Sequence, residues 1–267
     1  MAVTNGFKAK LRSKEHPIQA GISSPSILYT ELVASAGYDS VMIDLQHGAI
    51  DVSQLQGMLA TFGSSDATPI VRVPWNEPSW IQRVLDAGAH GVICPMVNSR
   101  EECERFVSYC KVPPLGKRSP GSFRLDMSGT YDMNELVMAI VQIETPQALE
   151  SIDQILGVPG VDGVFPGLHD YALAAFGRAL EFMNPQLLEP LQRIVRVAHS
   201  HELPVGLPVP VEMTRVIPDL LRIGIDWVMI GSDIAWVTKG AHQTLSETRQ
   251  AIAEGLRVGP VSDQGEH

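Results

Sequence analysis

Short apolar runs recur along the chain, separated by longer segments whose apolar residues fall three or four positions apart. The runs stand at 18–22, 40–44, 69–73, 91–95, 139–143, 163–166, 204–208 and 227–231. Most are continuous rather than alternating with polar residues, as in strands covered on both faces. Between them, Ser79-Trp-Ile-Gln-Arg-Val-Leu-Asp86 and the stretch from Leu187 to Ala198 carry the period of a helix buried along one stripe. Three segments, Ala36-Gly-Tyr-Asp-Ser-Val-Met-Ile, Ala87-Gly-Ala-His-Gly-Val-Ile-Cys and Ile223-Gly-Ile-Asp-Trp-Val-Met-Ile, place a glycine where a helical pattern ends and a strand begins. Helix starts are marked as well: Ser99-Arg-Glu-Glu102 fits a capping box, and Thr145-Pro146 sets a cap residue before proline at the first helical position.

Strict alternation of strand and helix implies a parallel sheet, and eight repeats favour closure over an open sheet. The expected fold class is α/β, a single (β/α)8 TIM barrel over residues 1–256 with a C-terminal helix and a flexible tail at 257–267. No glycine-rich dinucleotide fingerprint follows the first strand, which counts against the doubly wound alternative. The long exception to the rhythm is Lys111 to Met138, with Pro113-Pro-Leu-Gly-Lys-Arg-Ser-Pro-Gly-Ser inside it. As an insertion after strand four it is expected to lie over the barrel mouth.

Composition narrows the partners. The 267 residues, 45% hydrophobic and 19% charged, suffice for one large core. A formal charge of -10 and no Lys/Arg cluster argue against nucleic acid and leave a small molecule as the expected partner. Cys94, Cys103 and Cys110 have no ligand-like grouping and read as reduced thiols of a cytoplasmic protein. Neither a signal-peptide core nor an apolar run of membrane-spanning length is expected.

Chemistry in such barrels sits at the C-terminal strand ends. The second run ends on Asp44 with His47 beyond it, the third on Arg72, the fifth on Gln142 and Glu144, the sixth on Pro166-Gly-Leu-His-Asp170. Glu144 and Asp170, at the ends of strands about 4.8 Å apart, can reach one divalent cation; for Asp170 alone, capping of the following helix would be the better reading, but two acids at matching ends of adjacent strands favour a metal. Mg²⁺ or Mn²⁺ suits such oxygen ligands, with Co²⁺ or Zn²⁺ also admissible. Arg72 either pairs with Asp44 or Glu144 as structure or holds an anionic substrate and stabilises charge developing on oxygen. Asp44 and His47 make a proton-transfer dyad, the carboxylate orienting the imidazole. Gly167 lets backbone N–H groups approach a ligand carboxylate, or serves only as a turn glycine. His169 borders the metal position as a secondary candidate, whereas His199 and His201 read as surface or cap residues.

Taken in order, YDSVMIDLQHG, PIVRVPWNEP, GAHGVICPMVNS, VQIETPQALE and GVDGVFPGLHDYAL resemble the HpcH/HpaI family of class II, metal-dependent pyruvate aldolases over about residues 5–255. The resemblance implies cleavage of a 4-hydroxy-2-oxo acid to pyruvate, or a close 2-oxo acid, and an aldehyde. It implies Glu144 and Asp170 as metal ligands, Arg72 as the enolate-stabilising group, Asp44 and His47 as the catalytic dyad, and Gln142 and Gly167 as site-lining positions. Gln46 stands where many members carry Glu, the first strand continues as Gly21-Ile-Ser-Ser-Pro25 without the family's usual tryptophan, and Leu168-His169 stands where the family carries Pro-Ala; these leave the catalytic core intact and bear on the aldehyde pocket. A homo-oligomer, trimer or hexamer with helices exchanged between subunits, is implied too. No lysine ends an expected strand, which speaks against an imine-forming aldolase. Two other readings are a citrate-lyase-like or malyl-thioester lyase on a similar barrel and a catalytically inactive barrel that binds a 2-oxo acid.

Overall fold

The computed structural model describes residues 5–119, 121 and 132–258. Eight parallel strands form the sheet: β1 (Ile18–Ile22), β2 (Ser40–Asp44), β3 (Thr68–Arg72), β4 (Gly91–Cys94), β5 (Met138–Ile143), β6 (Gly163–Pro166), β7 (Gly206–Val209) and β8 (Trp227–Ser232). Around them lie α1 (Gly6–Arg12), α2 (Ile27–Ala34), α3 (Val52–Ala60), α4 (Pro78–Asp86), α5 (Arg100–Cys110) and α6 (Met133–Leu136). These are followed by α7 (Pro146–Glu150), α8 (Ile152–Leu156), α9 (Leu168–Phe176), α10 (Pro185–Ser200), α11 (Ile217–Ile223) and α12 (Asp233–Val258). The strand order β6-β5-β4-β3-β2-β1-β8-β7 closes through a parallel bridge between Val164 and Val205, giving the (β/α)8 TIM barrel.

The strands are buried on both faces, which is why their sequences read as unbroken apolar runs. Outward side chains such as Val41, Ile43, Val71 and Val92 pack under the helices. Inward ones, Met42, Ile70, Ile93, Ile140 and Phe165 among them, form a separate interior cluster. Its floor is α1: Phe7 is fully buried, edge-on to Trp227 with ring centroids 5.7 Å apart. The helix-ending glycines Gly37, Gly88 and Gly224 all adopt positive φ, the left-handed conformation that closes a helix. Thr145 Oγ1 accepts from Ala148 N–H as a helix cap. Ser99 Oγ accepts from Glu102 N–H, but the Glu102 carboxylate turns back to Asn98 N–H instead of completing the box.

The long insertion does not start at the barrel mouth. It follows α5, which has already carried the chain back to the N-terminal end of the strands. Its described flanks are anchored there: Lys111 Nζ donates to the Val137 carbonyl and to Asp162, the residues just ahead of β5 and β6, and Arg118 pairs with Asp86 at the end of α4. Residues 120 and 122–131 lie outside the described set, as does the expected tail beyond Val258.

Candidate active site

Alternation along the strands builds the site. Met42, Ile70, Ile140 and Phe165 point into the barrel floor, and the residues two positions further on share that inward face one layer higher. Those residues are Asp44, Arg72, Gln142 and Gly167, with Glu144 one further step beyond Gln142. The polar constellation is therefore the continuation of the interior apolar series at the C-terminal rim.

Asp44 and Arg72 are register partners on β2 and β3. Their pairing is bidentate, Arg72 Nε to Oδ1 at 2.9 Å and Nη2 to Oδ2 at 2.6 Å. Of the two roles open to Arg72, the structural pairing is present; the guanidinium lies just below the rim cavity shared by Glu144, Asp170 and His47, and Arg72 is not among the residues that line it. Asp44 Oδ1 also accepts from Gln46 N–H at 3.0 Å and His47 N–H at 3.3 Å. The carboxylate thus holds the turn that carries His47; among the described residues it makes no hydrogen bond to the imidazole. The expected ring-orienting contact is replaced by backbone contacts because Arg72 occupies the far side of the acid. The His47 side chain is exposed at the rim.

Glu144 and Asp170 meet His47 around one cavity of about 380 Å³, with Gln46, Met96, Thr145, Leu173 and Ala174 completing its wall. Glu144 is 1% exposed; Oε1 accepts from Met96 N–H at 2.7 Å and Oε2 from the Gln142 amide. Burial pushes the Glu144 carboxyl above its ordinary range; the hydrogen bonds from Gln142 and Met96 oppose this, and the neighbouring Asp170 adds to it. No Lys or Arg pairs with either acid among the described residues. Gly167 makes room for Glu144: a Cβ there would stand 2.6 Å from Glu144 Cβ.

This donor set fits a hard divalent cation. Two carboxylates face one space without a compensating cation, and the Gln142 and Gln46 carbonyl oxygens beside them are buried without a partner. No cluster of three or more His, Cys, Asp or Glu occurs among the described residues, so protein ligands alone do not make a closed cage. A site of one or two carboxylates that leaves positions for substrate oxygens is the usual habit of Mg²⁺.

Several expected positions contribute differently. Gly167 N–H donates to the Ile143 carbonyl at 2.9 Å and is not free for a ligand; it is the uncapped start of α9 just beyond it that presents N–H groups. The Leu168 side chain turns into the core and His169 is exposed, so neither lines the cavity, because the first turn of α9 directs only Asp170 inward. Met96, at φ 56, was missed by sequence reasoning; a non-glycine residue in that conformation after Pro95 delivers its N–H to Glu144. Gln46 was marked by its departure from the family and Thr145 only as a helix cap, whereas Leu173 and Ala174 carried no signal beyond their nearness to the expected residues. A larger cleft, about 700 Å³, opens at the opposite end of the barrel, where Asp162 is matched by Lys8 at 2.8 Å and Asp226 by His199 at 2.9 Å. Lys111 also sits at that end, away from any role at the rim.

Similarity to known proteins gives the family. Residues 22–205 match the family model described as HpcH/HpaI aldolase/citrate lyase. The chain is 34% identical over 250 residues to a 5-keto-4-deoxy-D-glucarate aldolase of Escherichia coli O139:H28, covering 91% of this chain and 96% of the relative. Among solved structures it resembles an HpcH/HpaI aldolase/citrate lyase family protein from Burkholderia cenocepacia J2315, with TM-score 0.84, 26% identity and coverage of 92% and 100% of the two chains. It also resembles the citrate synthase SbnG, with TM-score 0.84, 27% identity and coverage of 93% and 99%. With a family model matched across most of its length and a relative matched nearly end to end, the chain belongs to the HpcH/HpaI aldolase/citrate lyase family and is a carbon–carbon lyase.

Proposed function

We propose that the protein reversibly cleaves a 4-hydroxy-2-oxo acid to pyruvate, or a close 2-oxo acid, and an aldehyde. The observation that carries this reading is the meeting of Glu144, Asp170 and His47 around one cavity. Glu144 and Asp170 would hold Mg²⁺ or a similar ion, which when bound supplies positive charge beside the 2-oxo group. Arg72 offers its guanidinium to the oxygen on which enolate charge develops. The N-terminal amides of α9 receive the substrate carboxylate. His47 takes the proton of the C4 hydroxyl as C3–C4 breaks, releasing the aldehyde, and the imidazolium then gives its proton to C3 of the enolate to form the 2-oxo acid, which restores the neutral ring. Asp44 positions His47 through the backbone and Arg72 through its ion pair.

The E. coli relative makes polyhydroxylated 2-oxo acids the first substrates to try. The likeness to a citrate synthase supports a second reading, in which the same enolate adds to an acidic carbonyl acceptor. The test precedes any choice of aldehyde. Chelator-stripped protein is given pyruvate in D₂O with and without Mg²⁺ or Mn²⁺, and C3 proton exchange is followed by NMR. Metal-dependent exchange abolished by His47→Ala supports the proposal; absence of exchange with every metal and every 2-oxo acid tried refutes it.

A homo-oligomer is part of the proposal. The helix α12 leaves the barrel with Val237, Leu245 and Ile252 exposed, and α2 exposes Ile27, Leu28 and Leu32. Those apolar surfaces suit burial between copies of the chain in a trimer or hexamer. Three free, buried thiols agree with a reducing, cytoplasmic setting.

A further inference from the structure

One buried acid ties the loop after β1, and through it the His47 turn, to the root of α12. Asp233, 3% exposed, is the first residue of α12. Its Oδ1 accepts from Ser23 N–H at 2.9 Å, and its Oδ2 accepts from Ser24 N–H at 3.0 Å and from the Ser24 hydroxyl. No Lys, Arg or His pairs with it among the described residues, so these donors are what offset its burial. Ser23 passes the constraint on. Its carbonyl accepts from Ala49 N–H at 3.0 Å, two residues beyond His47. Between them Gly48 lies so close that a Cβ there would stand 2.9 Å from the Ser23 oxygen and 3.2 Å from its Cα. The turn is therefore gripped on both sides, by Asp44 before His47 and by Ser23 after it.

The register of β8 points the same way. Gln19 pairs with Met229 but Gly21 pairs with Ser232, so three residues of β8 span two of β1. The extra residue falls at Ile230-Gly231, where Gly231 has φ +71 and a Cβ would meet the Trp236 indole at 2.5 Å. A bulge shifts every later residue by one position along the partner, and counted on from Gly21 opposite Ser232 it sets Asp233 level with Ile22, next to the Ser23 and Ser24 amides that its carboxylate holds. Bulges in parallel pairs are rare, and they commonly re-aim a side chain beside a site.

We propose that Asp233 is a positioning residue for His47, fixing through Ser23 and Ser24 where the imidazole stands over the Glu144–Asp170 cavity. This rests on the reading of His47 as the proton-transfer group. Arg72 ends β3, Glu144 follows β5 and Asp170 lies in α9, so loosening the anchor should disturb proton transfer while sparing substrate and metal binding.

The test uses the full chain, with ¹⁵N-labelled histidine, as Asp233→Asn and Ser24→Ala. Pyruvate C3 exchange in D₂O with Mn²⁺ gives kcat and KM, paramagnetic resonance gives Mn²⁺ affinity, and the ¹⁵N spectrum of metal-free protein reports the His47 ring. Asp233→Asn should lower kcat about tenfold or more, leave KM and Mn²⁺ affinity within about threefold, and shift or split the His47 signal. Ser24→Ala, which removes one of the three donors, should change the same quantities less and carries the test if Asp233→Asn fails to fold. An unchanged kcat with an unmoved His47 signal would overturn the proposal, as would KM and Mn²⁺ affinity worsening in step with kcat. If the wild-type protein exchanges no protons, the function proposed above fails, and the His47 signal still decides the role of Asp233.

Discussion

Glu144 shows at the scale of one residue how burial is turned to use. A carboxyl at 1% exposure beside a second acid is held above its ordinary range by desolvation and like charge, and a divalent cation removes both penalties. Glu144→Gln should abolish Mn²⁺ binding, read by paramagnetic resonance, and lower pyruvate exchange by at least about a hundredfold, since loss of even an outer-shell partner costs up to that much. His90 is perturbed in the other direction. Burial at the start of β4 pushes its imidazole down to about 4. The unfolded chain takes up this proton near pH 6.5 while the folded chain refuses it until about pH 4. The stability linked to His90 is therefore complete above about pH 6.5, is lost as pH falls toward 4, and is level below; the loss is on the order of 3 kcal/mol. His90→Gln should flatten that slope in urea denaturation midpoints measured across the interval.

Elements divide the labour between the two ends of the barrel. At the floor, α1 closes the interior with Phe7 against Trp227, and Gly206 leaves the space that the indole fills. Phe7→Ala should cost about 3–5 kcal/mol, seen as a lower melting temperature, with exchange kinetics at 25 °C unaffected because the rim is built by other residues. At the rim, each of β2, β3 and β5 ends by trading an apolar inward residue for a polar one. This much was legible in the sequence, because a period of two fixes which residues share a face. The place of the insertion was also within reach: a helix that begins at Ser99 runs back along the barrel, so Lys111 lies at its far end.

For the whole molecule, the proposed assembly rests on α12, a helix of 26 residues. Leu245→Glu or Ile252→Glu, both on its exposed apolar surface, should reduce the assembly to smaller species in light scattering coupled to size exclusion, while secondary structure by circular dichroism is retained. If the mass of the wild-type particle equals that of one 29.0 kDa chain, the oligomer proposed here is wrong. Asp233 lies at the root of the same helix, so any displacement of α12 during assembly acts directly on the loop that grips the His47 turn.

What the sequence determined by itself was set by local rules. Alternating strand and helix patterns, glycines at helix ends and caps at helix starts specify eight βα units, and the end of each strand specifies which polar groups reach the rim. Tertiary structure alone decided how those groups share their hydrogen bonds. Arg72 occupies Asp44, so the carboxylate steadies the His47 turn through backbone N–H groups instead of the ring. The first turn of α9 sends Asp170 into the cavity and leaves Leu168 in the core. Met96 and Asp233 reach partners distant in sequence, one through a left-handed backbone just past β4 and the other from the root of α12 just past β8. Such choices depend on distances between segments that no local pattern encodes, and it is they that turn a rim of polar residues into a site.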